Sequence, residues 1–307
     1  MSVRPRWLLP AAFVLLGLIW GSSFAWIKIA VAEIPPASLV ALRMGLGAVG
    51  MLALLAFIRV PMPRGAREWL PLVVLGAVNA AIPIFLISWG EQFVDSGTAA
   101  VLNSLTPIFS LVIAGVALRA EPVTALRVGG LLLGFLGAVL LASRELDLRA
   151  DASGLIGAGA VVLAAFSYAV GASYARHRIR STHRYVVAAG TLVFAAFDTA
   201  VLALITDGGV ILPTQPDTII AVAWLGVLGS FVAYVCFFFL IEHLGATVAA
   251  MVTFMFPVVG VALGVLLLGE RMDVRLVLGT VLVLMGIIVV TLRYDPAVSR
   301  VPSGARE

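Results

Sequence analysis

Apolar positions run along this chain in long unbroken blocks, without the alternation of a half-buried strand or the one-sided stripe of a surface helix. Ten blocks can be marked off, near residues 8–31, 37–58, 69–90, 96–118, 123–142, 153–175, 185–206, 217–241, 246–268 and 274–292. About 20 apolar residues in a helix cross the hydrocarbon core of a bilayer, so each block is predicted to be a membrane-spanning helix. The connections between blocks are too short to hold a folded domain. The first block runs from Leu8 to about Val31 behind Arg4 and Arg6, and Ala30-Val31-Ala32 imitates a cleavage site. A secretory signal has an apolar core of only ~7–15 residues, so this block is expected to remain as a helix.

The second half of the chain echoes the first at an offset of 148–150 residues. Trp20-Gly21-Ser22-Ser23-Phe24 is matched by Tyr168-Ala169-Val170-Gly171-Ala172, and Lys28 by Arg176. Leu75-Gly76 recurs as Leu225-Gly226, Pro107 as Pro257, and Gly130 and Gly137 as Gly279 and Gly286. Thr124 and Asp273 precede the fifth and tenth spans, each able to cap a helix start. Five spans per copy is an odd number, so the second copy must enter the membrane upside down. The expected fold is therefore an all-α integral membrane protein, ten transmembrane helices as two inverted five-helix repeats around a central cavity. The repeats are 8–142 and 153–292, followed by a cytoplasmic tail, 293–307. Inverted repeats of this kind are the architecture of secondary transporters, with the site near the bilayer midplane.

Composition agrees. The 307 residues are 62% hydrophobic and 12% charged, with a mean hydropathy of +1.13. That is roughly half the charge of a soluble domain. The net charge of +4 does not point to nucleic acid, because the basic residues are scattered through short loops instead of clustering on one accessible domain. They do set the orientation. The termini and the even-to-odd loops hold fourteen arginines, among them Arg59, Arg64, Arg67, Arg176 and Arg178; the other side holds Lys28, Arg144, Arg149, Arg271 and Arg275. By the positive-inside rule both termini are expected in the cytoplasm, with the chain in the cell (inner) membrane. The lone Cys236 excludes a disulfide framework.

The Trp20-Gly-Ser-Ser-Phe24 run ending at Lys28 resembles the drug/metabolite transporter superfamily, EamA type. So do Pro36 followed by Arg43, Thr98-Ala99-Ala100 leading to Pro107, and the Gly269-Glu270-Arg271 turn before a glycine-punctuated last span. The resemblance covers nearly the whole chain as two EamA units. It implies a ten-helix basket with a cavity lined mainly by spans 1, 3, 4, 6, 8 and 9, and export of amino acids or other small metabolites. The first copy departs from the pattern at its second turn, where Arg119-Ala120-Glu121-Pro122 replaces Gly-Glu-Arg.

Polar residues inside the spans are the candidates for a site. The chain has two asparagines, Asn79 and Asn103, one in span 3 and one in span 4. A side-chain amide in hydrocarbon is costly unless bonded, so each is expected to face the bundle interior, bonding either a polar substrate or a neighbouring helix. Asn103, Thr106 and Ser110 fall on one helical face at i, i+3 and i+7. Their counterparts in span 9 begin with Thr253. Trp20, Tyr168 and Tyr234 sit mid-span, where aromatics either fill space or form a wall for an apolar part of a substrate. Pro107 and Pro257 each remove a backbone hydrogen bond and kink a helix, either as a gating hinge or as a fixed bend.

Charges within the spans are few. Arg43 and Asp198 lie at matching depths, roughly 10–12 Å below the outer surface at ~1.5 Å per residue. Three readings stand: they pair with each other, each has a partner in its own half, or Asp198 is a proton-coupling acid. Glu91 and Glu242 end spans 3 and 8 at opposite membrane faces, as solvated helix ends or as further sites for ion coupling. The Gly130/Gly134 and Gly260/Gly264 pairs permit close helix packing or dimerisation.

No metalloprotease helix, phosphate-binding glycine loop or Cys/His metal spacing is present in the sequence. Neither enzyme activity, a cofactor nor a metal is expected. The partners expected are a small-molecule substrate and the lipid bilayer. Transport by alternating access, with Asn79, Asn103, Thr106 and Thr253 binding polar groups, is the reading these residues favour. The rivals are a lipid or polyprenyl-carrier translocase on the same fold and a non-transporting membrane component.

Overall fold

The computed structural model describes residues 8–113, 125–149, 152–179, 182–244, 249 and 251–291. The Arg119–Pro122 turn, Thr124 and the tail 293–307 lie outside the described residues.

Among those residues the chain is helical, with no strand. Seven helices are long and apolar enough to cross a membrane. They are α1 (Leu8–Ala30), α2 (Pro36–Ile58), α3 (Ala66–Gly90), α6 (Ser153–Arg178), α7 (Arg184–Asp207), α8 (Pro216–Leu244) and α9 (Met251–Leu268). Three further helices have shorter apolar stretches: α4 (Ser96–Val112), α5 (Ala125–Arg149) and α10 (Val274–Thr291). The apolar side chains that face away from the bundle, such as Phe57, Phe197, Ile205 and Leu266, are exposed, as a lipid-facing surface requires.

The helix ends follow local chemistry. Pro36 opens α2 at a position where its missing N–H costs nothing. Gly208 and Gly269 close α7 and α9 at φ of +76° and +66°, the left-handed cap that glycine adopts without strain. Asp273 caps α10 by accepting the Leu276 amide at 2.9 Å.

Among the described residues α3 and α8 each carry a π-helical insertion with a local cause. In α3 it spans Ala77–Ala81. Pro83 has no N–H to offer the carbonyl of Asn79 four residues back, and the Ile82 amide turns to Ala77 O, five residues back. In α8 it spans Trp224–Val232. There the Ser230 hydroxyl donates to Leu225 O at 3.0 Å, also five residues back. The two insertions occupy corresponding places in the two halves of the chain.

Packing between the halves follows a crossed scheme. α1 lies on the π segment of α8 and on α9; α6 lies on the π segment of α3 and on α4. α2 packs on α7, and α5 on α10. In the last pair a methyl at Gly137 would meet Gly279 O at 2.8 Å, and one at Gly286 would meet Gly130 O at 2.6 Å. Residue numbers rise on one helix as they fall on the other, so α5 and α10 run antiparallel. Glycines that appear in the sequence as a repeat thus form the contact between the repeated helices, and Gly130 and Gly134 are used inside the chain.

One end of the bundle is tied by charge. Arg144 of α5, 1% exposed, donates to Asp273 Oδ2 at 2.8 Å, Asp95 Oδ2 at 3.1 Å, Thr98 Oγ1 at 3.3 Å and Arg271 O at 2.6 Å. Glu270 accepts the Ser96 and Gly97 amides at 2.6 and 3.0 Å, capping α4 from the other half of the chain. Glu33 accepts from the Thr214 amide and hydroxyl at 2.6 and 2.7 Å. The Thr218 and Thr214 hydroxyls hold the Glu33 carboxyl at about 2. Burial pulls the Asp273 carboxyl up, but the Leu276 amide and Arg144 outweigh it and leave that carboxyl below the ordinary range.

Candidate functional site

The crossings between halves bring Trp20, Tyr234 and Arg43 to the π segment of α8 and its continuation. A π segment widens the helix and turns a carbonyl outward, and such segments recur at functional sites. Each of these segments is met by the first long helix of the other half. Trp20 of α1 donates its indole N–H to Gly229 O in α8 at 3.0 Å. Ser167 of α6 donates to Val78 O in α3 at 2.6 Å. Beside the first contact, Trp224 donates to Ser22 Oγ at 3.2 Å.

Trp20 anchors an aromatic group. Tyr234 stands edge-on to it at 6.4 Å between ring centroids, Phe256 at 6.3 Å, and Phe237 lies tilted at 5.2 Å. Tyr168 packs between the two largest apolar clusters of the bundle. Its hydroxyl and that of Tyr234 lie within electrostatic reach of the Arg43 guanidinium. Of the aromatic residues nominated from sequence, all three therefore belong to one neighbourhood.

Arg43 is the charged member of this group. Only 6% exposed, it comes from α2 and donates Nε to Ser230 Oγ in the α8 π segment at 3.2 Å. A methyl placed on Gly229 would lie 3.4 Å from Ser23 Oγ and 3.6 Å from Arg43 Nη2. Gly229 thus lets a hydroxyl and a guanidinium approach the α8 backbone closely. Arg43 forms no ion pair with Asp198 or with any other described carboxylate.

The asparagines are placed differently from each other. Asn79 lies in the α3 π segment, pressed against the bare backbone of Gly171 in α6, where a methyl would come within 2.7 Å of its Oδ1. Asn103 is 6% exposed, and its Oδ1 is buried without a hydrogen-bond partner. No hydrogen bond joins the two. α4 is not one continuous helix: it breaks at Ser104-Leu105 between Ser96–Asn103 and Thr106–Val112. The face shared by Asn103, Thr106 and Ser110 is therefore bent. Pro107 leaves the carbonyl of Asn103 without its usual donor, and Thr106 Oγ1 supplies one at 2.8 Å. Ser110 Oγ is likewise turned to its own helix, on Thr106 O at 3.0 Å. In α9 Thr253 sits in a tight 3-10 turn, Met251–Phe254, just ahead of Pro257. Both prolines thus follow a change of helical geometry.

The three acids nominated for ion coupling have different surroundings. Glu242 is half-exposed and paired with Arg184 at 2.7 Å. Asp198 is half-buried, with Oδ2 unpartnered. Glu91 is fully buried, and neither carboxylate oxygen has a partner. Lys28 beside it donates to the main-chain carbonyls of Glu91 at 2.5 Å and Val94 at 2.7 Å, leaving the carboxyl unmet. The sequence did not single out Ser230, Gly229 or Ser167. Serines and glycines are common in membrane helices, and only the tertiary crossing distinguishes these.

The chain matches the model of the EamA-like transporter family twice, over residues 8–143 and 155–292. It belongs to that family. It is similar to "Uncharacterized transporter YoaV" of Bacillus subtilis, 26% identical over 91% of this chain and 94% of that one. It also resembles the "Uncharacterized inner membrane transporter YedA" of Escherichia coli, 27% identical over 94% and 93%. The "Probable terminal-alkyne amino-acid exporter" of Streptantibioticus cattleyicolor is 26% identical over 92% and 93%. A protein known from a crystal structure shares the fold, with a TM-score of 0.65, 20% identity and coverage of 97% of this chain and 100% of that one. A multi-pass membrane transporter of the EamA family is the class these findings define.

Proposed function

We propose that the chain is a secondary transporter that exports small metabolites such as amino acids by alternating access. Its ten helices cross the membrane as two inverted five-helix repeats, with both termini cytoplasmic and the Arg144/Glu270 end facing outward. The substrate sits between the halves, with Trp20, Tyr168 and Tyr234 as walls. Asn79, Asn103, Thr106 and Thr253 offer polar contacts from the broken helices, and α4 and α9 rock at Pro107 and Pro257. The observation that carries this reading is the crossed pair of π segments, each held by the first helix of the opposite half at the depth of the polar residues. Discontinuous helices at the repeat interface are where secondary transporters place their sites. The antiparallel glycine contact of α5 and α10 supports the inverted arrangement.

Glu91 is the strongest of the three acids as a proton-coupling site, with Asp198 second. A carboxylate without hydrogen bonds in a dry site is far costlier ionised than neutral, so Glu91 holds a proton while the outer tie is closed. Lys28, Arg43 and Glu270 are the charged groups around it.

Flux of labelled neutral and aromatic amino acids in proteoliposomes, with and without a pH gradient, tests this. Saturable flux of at least one member is expected, with a gradient response that Glu91→Gln abolishes. No flux from folded protein would remove the amino-acid reading, and an unchanged gradient response in Glu91→Gln would remove Glu91 as the coupler.

A further inference from the structure

We infer that Arg43 is the anchor for a substrate carboxylate, held ready by Ser230 beside the bare backbone of Gly229. The inference rests on the transport reading above and narrows its substrate class to carboxylate-bearing small molecules.

A guanidinium stays charged in any protein environment. Within a membrane helix such a charge pairs, or faces a cavity that carries substrate or ions. Arg43 is 94% out of solvent by its 6% exposure, and its one hydrogen bond goes from Nε to the neutral Ser230 hydroxyl. Neither Nη has a protein acceptor among the described residues, and neither counts among the sealed, unpartnered atoms of the bundle. Both nitrogens therefore keep some accessible surface. Glu91 acts on it electrostatically, and its oxygens make no bond to it.

Ser230 explains how the head is aimed. Its hydroxyl gives its own proton to Leu225 O, so only its lone pairs are left for Arg43. That fixes Nε on Ser230 and leaves Nη2 beside the backbone of Gly229, 3.6 Å from where a methyl would stand. A planar fork with two free donors matches the two oxygens of a carboxylate. Gly229 adds no side chain here, and Ser23 Oγ stands beside the same position, 3.4 Å from where a methyl would be. The other half of the chain has no such feature. The positions 149–150 residues from Arg43 and Ser230 are Leu192 and Ala80, both fully buried and apolar. The α8 crossing thus carries a charge, Arg43, and the α3 crossing an amide, Asn79, an asymmetry that suits a molecule with one anionic end.

Two matched triads test this on the purified full chain: phenylalanine, 3-phenylpropionate and 2-phenylethylamine; leucine, 4-methylpentanoate and 3-methylbutylamine. Within each triad the side chain is kept while the carboxylate or the amine is removed. Binding is read by ligand-induced thermal stabilisation in detergent, and flux in proteoliposomes. In at least one triad the carboxylate-bearing members are expected to bind at least about tenfold more tightly than the amine. Arg43→Gln should abolish that preference, and Arg43→Lys should retain part of it. Ser230→Ala, a milder change, should weaken carboxylate binding and leave amine binding unaltered. Flux that ignores the carboxylate, or a preference unchanged in Arg43→Gln, overturns the Arg43 site and leaves transport standing. Arg43-dependent binding without flux does the reverse. Neither binding nor flux by any member overturns both.

Discussion

Arg144 and Arg43 are both buried, and their surroundings could hardly differ more. Arg144 spends all three guanidinium nitrogens on acceptors that the chain supplies, two of them carboxylates. Arg43 spends one nitrogen, on a serine. The first shows what a structural arginine looks like in this molecule: Asp95 and Thr98 come from one half of the chain, Arg271 and Asp273 from the other, and the cation clamps them. The second is an arginine whose acceptor set is incomplete. Burial alone does not separate the two roles; the count of acceptors does.

The sharpest way to break that comparison is to remove each charge. Arg144→Gln leaves Asp95 and Asp273 without their cation and is expected to cost about 3–5 kcal/mol of stability, read by thermal unfolding in detergent. Arg43→Gln is expected to cost less than about 1 kcal/mol while abolishing carboxylate binding, since no protein partner loses an ion pair. Equal destabilisation by the two variants would make Arg43 a structural residue.

Next in size is the packing of α5 on α10. Gly286→Leu would drive a side chain into Gly130 O and the Gly134 amide, each 2.6 Å from the methyl position. Overpacking of this kind costs about 1–3 kcal/mol or more. By contrast Gly229→Ala, whose methyl would stand in ordinary contact with Ser23 Oγ at 3.4 Å and Arg43 Nη2 at 3.6 Å, should fold and reduce flux by narrowing the approach to Arg43. A folded Gly229→Ala that transports normally would place the substrate elsewhere.

A smaller effect separates the two arginines by pH. Asp273 is held below the ordinary carboxylate range in the folded chain. Its stabilising share is complete above its unfolded pKa and is lost as pH falls through the lower folded value. The stability gap between wild type and Arg144→Gln should therefore close in acid. The gap between wild type and Arg43→Gln, with no carboxylate partner, should stay constant. The smallest change is expected from Glu33→Gln, at an exposed tie between loops, visible only as faster hydrogen exchange around Thr214.

Much of the fold was legible in the sequence, because hydrophobic length reports helices that lie in lipid. The repeat was legible too, down to Gly137 and Gly279, which meet in the structure. The break in α4 was signalled by Pro107, though not its position at Ser104-Leu105. The π segments were not legible. An insertion of one residue into a helix leaves hydropathy unchanged, and α8 has no proline in or just after its π segment to betray it. Arg43 and Asp198 matched in depth, yet depth says nothing of direction around a helix axis, and the two do not pair. Glu91 and Glu242 looked equivalent at the ends of their spans. One is sealed behind Lys28 and the other reaches Arg184, a difference set by which helices close over them. Trp20 and Gly229 are 209 residues apart, and no local pattern foretells that contact.

The central claim is that the crossing of α1, α2 and α8 opens to each side of the membrane in turn. Gly229→Cys in a Cys236→Ser background tests it most directly, by labelling with a membrane-impermeant thiol reagent applied from one side at a time. Labelling from both sides, slowed by a carboxylate ligand, is the predicted result. Labelling from one side only under every condition, or from neither in folded protein, would contradict it.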